Sequence, residues 1–455
     1  MWLAIEIPVA TLTFALLCRA VRTVRADWLT IFLLFVLWLR YVLAALDEYT
    51  FPRIVGGSSL IAISSIAIVM IGCLIVPLSL LTQRRIVPVY IIIIWTLFSG
   101  FLNHEMSGAM TDLFKWLYFI IVTSLTLRMF NLYGIDRGFL LILITLSTPM
   151  FLQIASIVAN MPTLGEDGSY NYIGGYFHEA VFSLVVMTTM WLVALTRWKR
   201  GWGGDILVLA SFAGIVAANY RTMIIAALPI LVIYGWCAGQ QGSKSSQRRF
   251  ALVLTISIAA VVAALSPEVQ ARFDDLLLTL GDAGNLMKPA PEYTEQQREL
   301  LSTRVYLWAQ YIGAFADADF ANKLVGFGPQ SHNETFFTHP HNMLIYALYE
   351  TGVFGLVLLL TLLVRNMVVA FSIVDTKRRW LVLAGHFAFL LANLATSPLS
   401  EIEGLILYAV LCAATWHDAD AGAQTRRNTG PRARHRQDSQ AGHSGESGPV
   451  SAPLW

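Results

Sequence analysis

The sequence predicts an all-α protein that crosses a membrane many times, and three observations carry that prediction. Charged residues make up only 13% of the 455 positions, against about 25% in an average soluble protein. Hydrophobic residues reach 56%, and the mean hydropathy is +0.62. The apolar residues are also gathered into runs close to the ~20 residues that a spanning helix needs. A formal net charge of +2 gives no basis for a nucleic-acid partner.

Taken in order, the runs predict spans at roughly 2–19, 28–46, 59–81, 86–102, 114–132, 138–159, 179–197, 205–219, 222–238, 250–266, 342–364, 381–397 and 402–417, about thirteen in all (12–14). The first run has no basic residues before it and no small-residue cleavage site, so it is expected to stay as a membrane helix. Cys18, Cys73, Cys237 and Cys412 fall in or beside apolar runs without metal-ligand spacing, which suits packing.

Charge in the short loops sets an orientation. Basic turns at Arg19/Arg22/Arg25, Arg84/Arg85, Arg128/Arg137, Arg197/Lys199/Arg200, Lys244/Arg248/Arg249 and Lys377/Arg378/Arg379 alternate with acidic or neutral ones at Asp47/Glu48, His104/Glu105 and Glu166/Asp167. The basic set is expected inside the cell, which puts the N-terminus outside and the C-terminus inside.

This gives five regions: N-terminal membrane helices over 1–200, membrane helices carrying Arg221 over 201–266, a large external loop over 267–340, C-terminal membrane helices over 341–417 and a tail over 418–455. The tail is rich in Gly, Ser, Arg and Pro. It has too few large apolar residues to fold and is expected to be disordered and cytoplasmic.

The external loop contains one helical pattern. Thr294 and Gln297 have capping-box spacing, and Leu301, Trp308, Tyr311 and Phe315 fall on one stripe with Arg304 in its middle. A guanidinium on an apolar face requires acceptors. A structural ion pair, snorkelling to water and a phosphate clamp all meet that need. Arg221 lies between two apolar runs on the same predicted side, where snorkelling and phosphate binding again both fit. Gly326 and Gly328 in GFGPQ mark a tight turn.

His332, His339 and His341 cluster beyond the turn, but without a helical i, i+4 pair, so no metal site is predicted. Pro340 suits the first turn of a helix, which would place His341 in that turn. The partly positive helix end disfavours imidazolium and favours an incoming anion. A neutral His341 there is either a general base or an interfacial histidine bonded to a carbonyl. Gly352 and Gly355 project on the His341 side, where they would let another helix approach. Glu350 projects to the opposite side, roughly 13.5 Å deeper, and is expected to pair with a buried base such as Arg40.

The pattern His341-Asn342, nine residues, Gly352, two residues, Gly355 resembles the signature of the O-antigen ligase/polymerase family of bacterial membrane glycan transferases. The resemblance covers roughly residues 200–365 and includes Arg221, Arg304 with Trp308, and the Gly326/Gly328 turn. Leu356 departs from it, since many ligases have Gly, Thr or Tyr there.

The resemblance implies a GT-C-like, inner-membrane, periplasm-facing glycosyltransferase that uses an undecaprenyl-pyrophosphate-linked glycan without cofactor or metal. His341 would be the general base and Arg221 and Arg304 the pyrophosphate clamp, with His339 as a further substrate-binding residue and His178 and Glu299 on the acceptor side. The acceptor separates the alternatives. It is the next lipid-linked repeat unit for an O-antigen or exopolysaccharide polymerase, which brings a chain-length regulator as partner. It is lipid A–core for a ligase, and a Ser or Thr for a protein glycosyltransferase. A lipid-linked-oligosaccharide flippase is the rival from outside enzymology.

Overall fold

The computed structural model describes residues 2–55, 57–165, 168–197, 202–240, 288–299 and 303–429, with residues 251 and 255. These are almost entirely helical. The strands among them form two short antiparallel ribbons, Arg53–Val55 with Ser58–Ser59 and Thr163–Leu164 with Tyr170–Asn171.

Six described helices are long and apolar enough to cross a membrane: Leu3–Val24, Trp28–Ala45, Met106–Tyr133, the apolar stretch Glu179–Thr196, Arg221–Gly239 and Met343–Ala370. Ile135–Thr145 and Ser147–Val158, bent by 44°, bring the number to seven if they form one span. Leu60–Ile75, Val87–Leu102 and Gly203–Ala217 are shorter apolar helices. The chain is therefore an all-α polytopic membrane protein. The expected span 250–266 lies outside the described residues, apart from isolated positions. The last helix, Ile402–Thr429, runs past the expected boundary at 417.

Helices Ile402–Thr429 and Met106–Tyr133 pack along each other at the centre. Tyr408 stacks between Phe119, at 5.6 Å, and Phe389, at 4.8 Å, so aromatic surface is buried from three helices at once. Arg40 is buried and forms a two-pronged ion pair with Glu403: Nε donates to Oε1 at 2.8 Å and Nη2 to Oε2 at 3.1 Å. The expected Glu350–Arg40 pair is therefore not formed. Glu350 instead meets His332 Nδ1 at 2.7 Å, because the segment before the Met343–Ala370 helix folds back onto the bundle and delivers its own base.

One end of the bundle carries a cluster of arginines bonded to acidic and carbonyl partners. Arg85, Arg365 and Arg378 gather there with Asp136, Asp418 and Asp420. Helix Thr376–Ala395 starts at that basic end, and its other terminus leads into the Thr396–Glu401 segment at the opposite face.

Gly352 admits the close approach of the Phe320–Val325 helix end and also breaks its own helix. Its φ of +68° and ψ of −171° break the Met343–Ala370 helix. A break inside an apolar bundle exposes carbonyls that need donors. Phe327 N–H donates to Tyr349 O at 2.9 Å and Gly328 N–H to Glu350 O at 3.0 Å. Ser99 Oγ adds a bond to Glu350 O at 3.1 Å, and Trp95 Nε1 donates to Thr351 O at 2.9 Å. The glycine turn of the loop is thus plugged into the broken helix. A Cβ on Gly352 would lie 2.3 Å from Leu324 O, and one on Gly326 would lie 2.3 Å from Glu350 O.

Gly352→Ala combines a left-handed backbone with this clash and should cost about 1–3 kcal/mol. The purified variant in detergent should melt several degrees lower, with faster proteolysis within 303–340. An unchanged melting temperature and cleavage pattern would show that the plug contributes no stability.

Candidate active site

The described loop residues 303–340 are pinned over the end of the Met343–Ala370 helix by Trp308 and Tyr311. The described residues of the expected loop helix fall in two helices, Glu295–Glu299 and Arg304–Asp317. Thr294 and Gln297 exchange capping-box bonds at the start of Glu295–Glu299. A second helix, Arg304–Asp317, begins after Thr303, whose φ of +67° redirects the chain. From this second helix Trp308 Nε1 donates to Pro340 O at 2.7 Å, and Tyr311 Oη donates to Thr338 O at 2.9 Å. Both bonds fix the segment that leads into His341.

His341 is not in the first helical turn. The helix begins at Met343, and Asn342 is its N-cap, accepting from Leu344 N–H at 3.0 Å and Ile345 N–H at 3.2 Å. Asn342 Nδ2 also donates to Leu394 O at 2.9 Å, which ties the cap to the Thr376–Ala395 helix. His341 stands just outside with φ +49°, a left-handed conformation uncommon for a side chain of this size. Such strain persists where the surroundings over-determine it, and it concentrates at functional positions. Proline 340 therefore directs the approach to the cap rather than the first turn.

His341 N–H donates to His339 Nδ1 at 3.3 Å, and the two rings lie 4.1 Å apart. With Nδ1 accepting, a neutral His339 carries its proton on Nε2. Both imidazoles are held in the neutral form. Burial pushes His341 down to about 3, with His339, Arg304 and His178 adding to the effect. Burial likewise pushes His339 down to about 4, with His332 the next contributor.

Arg304 closes the other side. Its Nη1 donates to Thr222 Oγ1 at 3.2 Å and its Nη2 to Tyr220 Oη at 3.1 Å, with the guanidinium 5.9 Å from the Tyr220 ring centroid. These partners are neutral hydroxyls, which leaves the positive charge uncompensated by them. Arg221 is the first residue of the Arg221–Gly239 helix, so the two residues that hold Arg304 are its immediate neighbours in the chain.

Phe177, His178, Tyr220, His339, His341 and Glu401 line one cavity of about 110 Å³. His178 Nδ1 accepts from Ala180 N–H at 3.0 Å, and its ring meets Tyr220 edge-on at 6.2 Å. Burial raises the Glu401 carboxyl, with Lys115 the main opposing influence.

The fold thus brings His341, His339 and His178 to one cavity and places Arg304 on the cavity residue Tyr220. His332 is taken by Glu350 and does not line that cavity. Among the described residues, no three His, Cys, Asp or Glu side chains are grouped to hold a metal ion. The side chain of Glu299 lies outside the described residues.

Asn342 stands in the sequence signature, but its capping role, legible as a preferred capping residue immediately before an apolar run, is added by the structure, as are Tyr220 and Glu401. Tyr220 and Glu401 carry only the weak signal of polar groups at span ends.

Chemically, the site offers a fixed positive charge beside neutral imidazoles at a helix N-terminus. That suits an anion bound next to a group that releases a proton. No curated protein matches the chain. Residues 206–360, which span both arginines, the described part of the external loop, His341 and the Gly352 break, match the family model described as O-antigen ligase. The match supports the resemblance to the O-antigen ligase/polymerase family over that segment.

Proposed function

We propose that the protein transfers a glycan en bloc from undecaprenyl pyrophosphate to an acceptor hydroxyl. The observation that carries this reading is the convergence of His341, His339 and His178 on one small cavity at a helix end, with Arg304 bonded to the cavity residue Tyr220. In the scheme, Arg221 and Arg304 hold the pyrophosphate. The acceptor oxygen attacks the anomeric carbon as His341 takes its proton, and the anomeric C–O bond to phosphate breaks. The electron pair leaves with undecaprenyl pyrophosphate, whose added charge is stabilised by the guanidinium groups. Attack from the opposite face inverts the anomeric centre. His339 and His178 contact the sugars.

The site lies at the ends of the helices opposite the basic Arg85/Arg378 end. The positive-inside rule then supports a periplasm-facing site in the bacterial inner membrane. Polymerisation of O-antigen or exopolysaccharide repeat units is the first reading. Ligation to lipid A–core is the second, favoured by the description of the matching family model. Complementing strains that lack either a polymerase or a ligase, and reading the polysaccharide ladder, separates the two.

His341→Ala should lower transfer by about 100- to 10,000-fold, the usual weight of a general base, while the protein still inserts. Near-wild-type turnover by the purified variant would remove His341 from that role. Arg304→Lys and Arg221→Lys should each lose about 10- to 100-fold, since Lys lacks the two-pronged contact. Full activity in both would exclude the clamp. Because the guanidinium groups supply the charge compensation, chelation should not change turnover, and a loss restored by one specific metal would contradict the scheme.

The pH profile follows from the same charges. His341 at about 3 in the free protein remains unprotonated at ordinary pH, so kcat/KM should show no histidine acid limb between pH 5 and 8. A bound diphosphate brings negative charge that favours imidazolium, so the limb in kcat should appear at higher pH than in kcat/KM. Coincident limbs near pH 6.5 would contradict this assignment.

A further inference from the structure

A second cavity, of about 400 Å³, opens at the same face of the bundle. Its size is within the ~300–1,000 Å³ range of small-molecule sites. It is lined by Trp2, Glu6, Asp47, Glu48, Tyr49 and Tyr176, which come from the first helix, the segment after the second helix and the 175–178 segment. Glu6 is only 4% exposed, and its Oε2 has no hydrogen-bond partner among the described residues. A buried carboxylate oxygen on a cavity wall without a protein partner is able to accept from a ligand donor.

The backbone presses against this group. Gly175 has φ +89°, and a Cβ there would come within 2.7 Å of Glu6 Oε1 and 2.4 Å of Ala45 O. The segment is also shared between the two cavities. Gly175 and Tyr176 line the acidic one, and the next two residues, Phe177 and His178, line the histidine cavity. The wall between them is thus one short stretch of chain.

We infer that the Glu6 cavity is a saccharide-binding subsite that holds sugar residues of the glycan beside the histidine cavity. Carboxylates accept bonds from sugar hydroxyls, and the Trp2 and Tyr49 side chains offer ring surface to a pyranose. The acidic residues are not grouped as a metal site, since no three metal-binding side chains among the described residues come together. The inference rests on the transferase reading for the identity of the ligand, and the test below separates the two.

The test titrates lipid-free repeat-unit oligosaccharide, released by mild acid from the host polysaccharide, into the full-length protein in detergent. Binding is followed by saturation-transfer NMR and calorimetry. The wild type should bind, and Glu6→Gln and Glu48→Gln should each weaken binding at least tenfold. Glu48 is exposed, so its substitution stays informative if Glu6→Gln fails to fold. His341→Ala and Arg304→Lys should bind like the wild type. If His341→Ala also retains full transfer, the catalytic scheme falls while the subsite stands. Absence of oligosaccharide binding, equal binding by the Glu variants, or Mg²⁺ or Ca²⁺ taken up at Glu6 in place of sugar would overturn the inference.

Discussion

Backbone polar groups inside an apolar bundle must be satisfied, and the break at Gly352 shows what that requirement builds. Interrupting the helix frees the carbonyls of Tyr349, Glu350 and Thr351, and they are met by Phe327, Gly328, Ser99 and Trp95. Two of those donors belong to the external loop, so the loop is hydrogen-bonded into the membrane domain instead of resting on its surface. The His332–Glu350 contact, one residue from the first freed carbonyl, fastens the same junction. With the loop held there, Trp308 and Tyr311 can fix the 338–340 segment, and Asn342 can set His341 in its left-handed pose.

Electrostatics then gives the site its character. The imidazoles of His339 and His341 are kept neutral by burial and by nearby positive charge, including Arg304. A site that disfavours its own cations is poised for an anion, whose arrival relieves the repulsion and strengthens the bases beside it. In the proposed scheme, binding of a diphosphate and the capacity to accept a proton are coupled through charge. The acidic Glu6 cavity has the opposite polarity a short stretch of chain away, which suits hydroxyl-rich rather than phosphorylated parts of one extended substrate.

Much of this was legible in the sequence because it rests on local patterns. Apolar runs marked the helices, and the histidine and arginine positions carried the family resemblance. The long-range choices were not legible. Arg40 pairs with Glu403 across 363 residues, and Glu350 pairs with a loop histidine, so helical projection alone could not choose between the partners. Gly352 was placed on the His341 side by its spacing, yet its left-handed conformation depends on a turn that approaches from elsewhere in the chain. Pro340 suggested a helix start that Asn342, the stronger cap, takes two residues later. The Glu6 cavity is assembled from separate segments, none of which carries a motif.

The most direct measurement is a cryo-EM structure of the protein with undecaprenyl pyrophosphate bound. The account predicts one diphosphate in contact with both Arg221 and Arg304, with the His341 imidazole facing the position of the sugar to be transferred. A diphosphate held by other residues, or the two guanidinium groups too far apart to share it while His341 faces elsewhere, would contradict the account.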